Sequence, residues 1–204
     1  EDLTLTGAMT NDIGGAIFVN GGSLTVNRVS FDDNGAGSGG AIGATNGASL
    51  TVTDSSFSGN MAVYGGAIYV DTTGDVSIST SYFGDNIANA DDAIYIKTAN
   101  VELSSNNLDE EQVIFVKSGS IKTILTFIGG EIKNVDFGES VELTATLTDV
   151  DGNPVIGGNL VFTANGVEIA TIDTANAELK TTYTVPTDAS GDIAISGSYS
   201  FDNG

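Results

Sequence analysis

One period runs through the first half of the chain and constrains its fold more than any other feature. Gly14-Gly15-Ala16-Ile17, Gly39-Gly40-Ala41-Ile42 and Gly65-Gly66-Ala67-Ile68 recur, followed by a degenerate Asp91-Asp92-Ala93-Ile94, with isoleucines 25, 26 and 26 residues apart. Phe31-Asp32-Asp33-Asn34, Phe57-Ser58-Gly59-Asn60 and Phe83-Gly84-Asp85-Asn86 repeat every 26 residues, each 11 residues before the next isoleucine. A third phrase fills the gap: Leu24-Thr25-Val26, Leu50-Thr51-Val52, Val76-Ser77-Ile78 and Val101-Glu102-Leu103 start 26, 26 and 25 residues apart. Three columns with one period mark an internal repeat.

Each unit holds three short β-rich runs separated by Gly, Asn, Asp and Ser, with no 3.6-residue apolar periodicity. A unit this short cannot bury its apolar face alone. Stacked at the strand spacing of about 4.8 Å, successive units place like residues above one another, and the columns become ladders. Residues 1–120 are therefore expected to form a strand solenoid of about four to five rungs. Ile17, Ile42, Ile68, Ile94 and Ile114 are expected to stack inward beside Val19, Ala44, Val70, Ile96 and Val116, with Phe31, Phe57 and Phe83 as a second inward stack. The asparagine closing each Phe-x-x-Asn phrase is expected to pass amide hydrogen bonds along the stack, and the paired glycines to supply a positive φ at a corner.

These alternating Gly-Gly-Ala-Ile and Phe-x-x-Asn phrases resemble the repeats of chlamydial polymorphic membrane proteins and of adhesin-like surface proteins of gut and rumen methanogens. The resemblance covers roughly residues 1 to 120 and implies a right-handed parallel β-helix of the pectin-lyase-like type. The first unit has no Phe-x-x-Asn, Asp91-Asp92 replaces Gly-Gly, and a fifth unit begins near Gln112, only 20 residues after the fourth. These departures read as cap or transition rungs.

Past Ile121 the period is lost, and alternating strands separated by turns predict a second domain over residues 121–204, an antiparallel β-sandwich. Val141, Leu143, Ala145 and Leu147 alternate with polar residues, as do Leu160 with Phe162 and Ile193 with Ile195. Asp149-Val150-Asp151-Gly152-Asn153-Pro154-Val155, with Asn165-Gly166 further on, resembles bacterial Ig-like repeats of surface proteins, in which that phrase links two strands. By the same resemblance the sandwich is expected to lack its last strand, as a piece cut from a longer tandem array would.

Composition excludes much chemistry. The 204 residues include no His and no Cys, so zinc fingers, disulfides, thiol nucleophiles and His-based triads are absent by inventory. Six Lys and Arg against 27 Asp and Glu give a formal charge of -21, which opposes nucleic acid and anionic membranes. The hydrophobic fraction of 40% argues for a folded chain, and no apolar run approaches the roughly 18 residues that span a bilayer. With no basic n-region or apolar h-region at Glu1, the chain reads as a mature fragment or an excised piece.

Three kinds of site remain. Facing carboxylates among Asp32, Asp33, Asp85, Asp91 and Asp92 would suit glycoside hydrolysis, although such residues are usually solvated turn residues. Lyase chemistry needs a cationic base, and only Arg28, Lys97 and Lys117 lie in or beside the solenoid. No cofactor is called for. Ca²⁺ is the ion left open, at Asp149, Asp151 and Asn153, but the glycine falls fourth rather than sixth in an EF-hand count and no glutamate stands twelfth. Lys122, Lys133 or Lys180 would be needed for an intramolecular amide crosslink, and no spacing picks out its partners.

Strand alternation points Phe18, Tyr69, Tyr95 and Phe115 to the side opposite the isoleucine column, with Gly43 interrupting. This predicts an outward aromatic stripe, able either to grip sugar rings or a partner protein or to stack under a neighbouring segment. The sequence as a whole is expected to be extracellular and non-catalytic. Its β-helix would present a face to a glycan or protein on another cell, and its Ig-like part would act as a spacer among further tandem domains. A carbohydrate-active enzyme and a purely structural envelope layer are the alternatives.

Overall fold

The computed structural model describes residues 3–89, 92–109, 111–121, 123–128, 135–174, 178–189 and 191–200, and every regular element among them is a β-strand. Up to Ser120 all strand pairing is parallel, which gives a β-solenoid. Its first column is the five-stranded sheet Leu3–Thr6, Val29–Asp32, Ser56–Ser58, Tyr82–Gly84 and Asn107–Leu108. The second runs through Ile17–Asn20, Ile42–Thr45, Ile68–Asp71, the start of Asp92–Ser104, and Val113–Val116. The third runs through Ser23–Asn27, Ser49–Thr53, Val76–Ser79 and the end of Asp92–Ser104. In the fourth rung the Gly-containing corner of earlier rungs is replaced by Lys97-Thr98-Ala99, and one long strand rounds the bend with a register shift between Ile96 and Thr98.

The ladders follow the period. Ile17, Ile42, Ile68, Ile94 and Ile114 are in register, as are Val19, Ala44, Val70, Ile96 and Val116. Phe31, Phe57 and Phe83 are fully buried, and their rings stack at 4.8 Å with planes 3° apart, the spacing of the strands that carry them. Each such ring contributes about 1.5–3 kcal/mol by burial. Leu5 and Leu108 occupy the same column at its two ends.

Beside the rings runs a buried amide ladder. Asn60 Nδ2 donates to the Phe31 carbonyl at 2.8 Å and to Asn86 Oδ1 at 3.0 Å, while Asn60 Oδ1 accepts from the Asn34 backbone N–H and from Asn34 Nδ2. Gln112 continues it, accepting from the Asn86 N–H and donating to the Asn86 carbonyl. The longer glutamine reaches across a fourth unit in which the spacing from Leu108 is one residue greater than in Phe-x-x-Asn.

The two glycines of each pair are needed for different reasons. Gly39 sits at φ 64, and a Cβ there would meet the Ile42 carbonyl oxygen at 2.2 Å. Gly40 has no positive φ. A Cβ on it would lie 2.1 Å from the Gly66 carbonyl oxygen of the next rung, so this position is glycine for clearance. Only the first of the pair therefore supplies the corner conformation expected of both.

From Thr123 the pairing becomes antiparallel. Thr123–Ile128, Ser140–Asp149 and Glu178–Thr184 form one three-stranded sheet, and Val167–Asp173, Asn159–Ala164 and Ile195–Ser200 another. Leu143, Ala145, Leu147 and Leu179 of the first sheet and Leu160 and Phe162 of the second are buried, as their alternation predicts. Asn165 and Gly166, at φ 50 and 79, make the two-residue hairpin turn between Asn159–Ala164 and Val167–Asp173.

The phrase expected to link two strands also seals the solenoid. Val155–Ile156 adds in parallel to Val113–Val116, with Val155 beside Ile114 and fully buried. Asn106 is clamped by the same loop: its N–H donates to Asp151 Oδ2 at 3.0 Å, and its carbonyl accepts from Asn153 Nδ2 at 3.3 Å. Gly157, at φ 102, follows at once, and a Cβ there would meet the Val116 carbonyl oxygen at 2.1 Å.

Candidate functional site

The aromatic column forms with the expected register. Tyr69 stacks on Tyr95 at 5.7 Å and Tyr95 on Phe115 at 4.7 Å, with ring planes 16° and 10° apart. Its exposure is not what alternation alone predicts: Tyr69 and Tyr95 keep 7% and 8% of their surface, Phe115 is half-buried, and Phe18 is 48% exposed. The cause is the coil before each glycine pair, which the tight corner folds back over the strand face. Tyr64 lies against Tyr95 at 5.1 Å, and Ile13 fills the space in front of Gly43 so closely that a Cβ there would be 2.1 Å from its Cγ2. Burial, then the nearby Asp71 carboxylate, raises the Tyr69 hydroxyl above its usual range. Lys97 and Asp71 form an ion pair at 2.8 Å on the adjoining surface.

Of the candidate carboxylates, Asp32 and Asp92 stand in strands and two others at a turn. Asp33 and Asp85 occupy a left-handed corner, both at φ 54, in the column Asp33–Gly59–Asp85. Asp32 lies in the neighbouring column with Ser58 and Gly84, where its carboxylate accepts from the Ser30 hydroxyl. Asp109 accepts from the Tyr82 hydroxyl at 2.6 Å, which raises the Tyr82 pKa. Asp91 lies outside the described residues, as do Lys122 and Lys133, while Lys180 stands opposite Thr144 in the antiparallel sheet.

In the loop weighed for Ca²⁺, the fully buried Asp149 carboxylate turns inward. Its Oδ1 accepts from the N–H groups of Asp151 and Asn153 and its Oδ2 from Asn153 Nδ2, each at 2.9 Å. Among the described residues no group of three or more Asp or Glu is placed to share a metal ion.

A different face offers a cleft. Met9, Gly35, Met61 and Ile87 bridge in parallel, one per rung, directly after the position of the buried amide ladder. Met9, Met61 and Ile87 are 70%, 48% and 59% exposed, an unusual run of apolar surface. Gly35 leaves room that the Met9 thioether takes: a Cβ there would lie 2.6 Å from its Sδ. Along this column runs a groove of about 500 Å³, edged by Thr10, Asn11, Val63 and Asn89. A second slot, of about 380 Å³, opens between the antiparallel sheets among Val141, Leu143, Tyr183 and Ile195, side chains of their inner faces. The groove was not singled out from sequence, although its residues keep the period: 9, 35, 61 and 87 are each 26 apart.

The comparison with known families bears on these same rungs. Residues 28–45 and 54–71 match the Chlamydia polymorphic membrane protein (Chlamydia_PMP) repeat. Each matched stretch starts at a left-handed corner, Arg28 or Asp54, and runs through the buried phenylalanine, the ladder asparagine and the glycine pair into the isoleucine strand. The repeat match therefore covers the groove rungs at Gly35 and Met61 and the strands Ile42–Thr45 and Ile68–Asp71. No curated protein and no solved structure matches the chain.

Proposed function

We propose that this chain is a non-catalytic segment of a cell-surface adhesin, with the solenoid presenting a binding face to a glycan or protein on another cell. The antiparallel sheets, read as an Ig-like sandwich, hold that face away from the envelope as a spacer among further domains. The observation that carries the reading is the match of two successive rungs to a repeat of polymorphic membrane proteins, within a solenoid where Asp33, Asp54 and Asp85 occupy left-handed corners. The resemblance to methanogen adhesin-like proteins points the same way. A stacked solenoid suits display, because its core needs only ladder residues and leaves the outward positions free to vary. Joining the two parts through Val155 and the Asn106 clamp suits a rigid stalk better than a flexible linker.

The test is binding of the labelled protein to a panel of microbial and host cells, with surface glycans or surface proteins stripped beforehand. Saturable binding to at least one cell type, lost on one of the two treatments, is expected. Absence of binding throughout would remove the adhesin reading and leave a structural layer.

A further inference from the structure

We infer that the groove over Met9, Gly35 and Met61 is an oligosaccharide site, and that its ligand is an uncharged glycan chain lying along the stacking axis. This rests on the adhesin reading and names its ligand class. Among the described residues that line the groove there is no Asp, Glu, Lys or Arg, in a chain that carries 27 acidic residues. A cationic ligand would find no counter-charge on these walls, and an anionic one would meet the field of a -21 surface besides. What the walls offer is thioether and methyl surface flanked by the amides of Asn11 and Asn89 and the hydroxyl of Thr10. That mixture suits pyranose rings, which have apolar faces and a rim of hydroxyl groups. Methionine adapts its shape to such faces, and depletion of charge is the mark of an interface core.

The backbone argues against a peptide. A strand that docks by augmentation needs free main-chain donors and acceptors. Along this column they are engaged between rungs: the N–H groups of Thr10, Ala36 and Ala62 donate to Gly35, Met61 and Ile87, and those of Gly35, Met61 and Ile87 donate to Ala8, Asn34 and Asn60. A second copy of the chain would have to bring its own acidic surface against this one. Between the rungs of Gly35, Met61 and Ile87 recognition therefore falls to side chains, and they are apolar, amide and hydroxyl. At Gly35 the Met9 thioether occupies the space a side chain would take, so Met9 and Met61 lie along the groove as a continuous thioether surface on which a ring face can rest.

The experiment is titration of the purified chain with neutral oligomers of glucose, mannose and N-acetylglucosamine, and with oligogalacturonate, by calorimetry and by protein-observed NMR. It is repeated on Met61→Glu, Met9→Glu and Gly35→Val, with the cell-binding assay run in parallel. Saturable binding of a neutral oligomer is expected, weakened at least tenfold by either glutamate and by the valine that displaces the Met9 thioether, with melting temperatures held within a few degrees. Met9 is so exposed that its variant keeps the test valid if the Met61 or Gly35 variant fails to fold. Preference for oligogalacturonate, or neutral binding that all three variants leave intact, would overturn the groove assignment. If cells are still bound in those cases, the adhesin reading survives; if neither cells nor glycans bind, both fall.

Discussion

Val155 lies in register beside Ile114, in the place the next isoleucine of the solenoid column would occupy, although 41 residues rather than 26 separate them in the chain. The antiparallel part thus covers the end of the solenoid with its own side chains. Edge strands with unpaired backbone invite unwanted pairing, and here a two-residue strand of the same chain caps the isoleucine column. The same few residues join the two parts: Asp149 shapes the loop, Asn153 and Asp151 clamp Asn106, and Gly157 lets the chain pass Val116.

Gly157→Ala tests that junction. A side chain at φ 102 costs about 1–3 kcal/mol of backbone strain, and its Cβ would collide with the Val116 carbonyl. The variant should melt lower than the parent and show two separate unfolding transitions by calorimetry, where the parent shows one. An unchanged single transition would mean that the contact contributes little.

Asn60→Ala removes the middle of the amide ladder and leaves the Phe31 carbonyl and the Asn34 N–H without their buried partner. Each orphaned group costs about 1–3 kcal/mol, so urea unfolding should show a loss on the order of 3 kcal/mol. Asn27→Ala, which removes exposed bonds to Thr53 and Asp54 of the next rung, should stay within about 0.5 kcal/mol of the parent.

Tyr95→Ser separates packing from recognition. Tyr95 touches Tyr64, Tyr69 and Phe115 and is almost wholly covered. The variant should lose several degrees of melting temperature yet bind cells as the parent does when assayed well below its melting point. Lost binding in a variant that melts normally would return the function to the aromatic column.

High pH probes the antiparallel part. Burial pushes the Tyr199 hydroxyl, which donates to the Gly157 carbonyl, up to about 12 from an ordinary 10.0. A hydroxyl held protonated in the fold stabilises it fully below the unfolded value, and that contribution is lost as pH rises toward the folded value. Stability should therefore fall between about pH 10 and 12. In Tyr199→Phe the starting stability should be lower and the decline shallower. Tyrosinate absorbance and near-UV circular dichroism followed together will show whether ionisation and unfolding coincide.

The ladders were legible because a solenoid writes its contacts into the sequence as a period: residues 26 apart touch, so Ile42 and Ile68 or Phe31 and Phe57 announce their contact directly. Alternation likewise gave the buried face of Ser140–Asp149. What periodicity does not carry is the path of the coil between strands. The spacing left open whether the aromatic column grips a ligand or lies under a neighbouring segment, and it is the segments holding Ile13 and Tyr64, folded over the strand face, that leave Tyr69 and Tyr95 covered. The second glycine of each pair is set by a carbonyl of the next rung, a long-range contact, and so passes in the sequence for another turn residue. The Asp149 loop misleads for a related reason: its spacing suits a hairpin or an ion, and only the neighbouring rung reveals the asparagine it grips. Met9, Gly35, Met61 and Ile87 kept the period in plain view, but without burial nothing marked that column as surface.

The claim at the centre of this account is that the solenoid holds a ligand and does not cut one. Incubating the chain with neutral and acidic polysaccharides, and measuring both retained polysaccharide and newly formed chain ends, tests it most directly. The expected result is retention of a neutral polysaccharide, reversed by its own short oligomers, with no new reducing or unsaturated ends over many hours. New chain ends that increase with protein concentration, and vanish in a variant lacking Asp32 and Asp85, would contradict it.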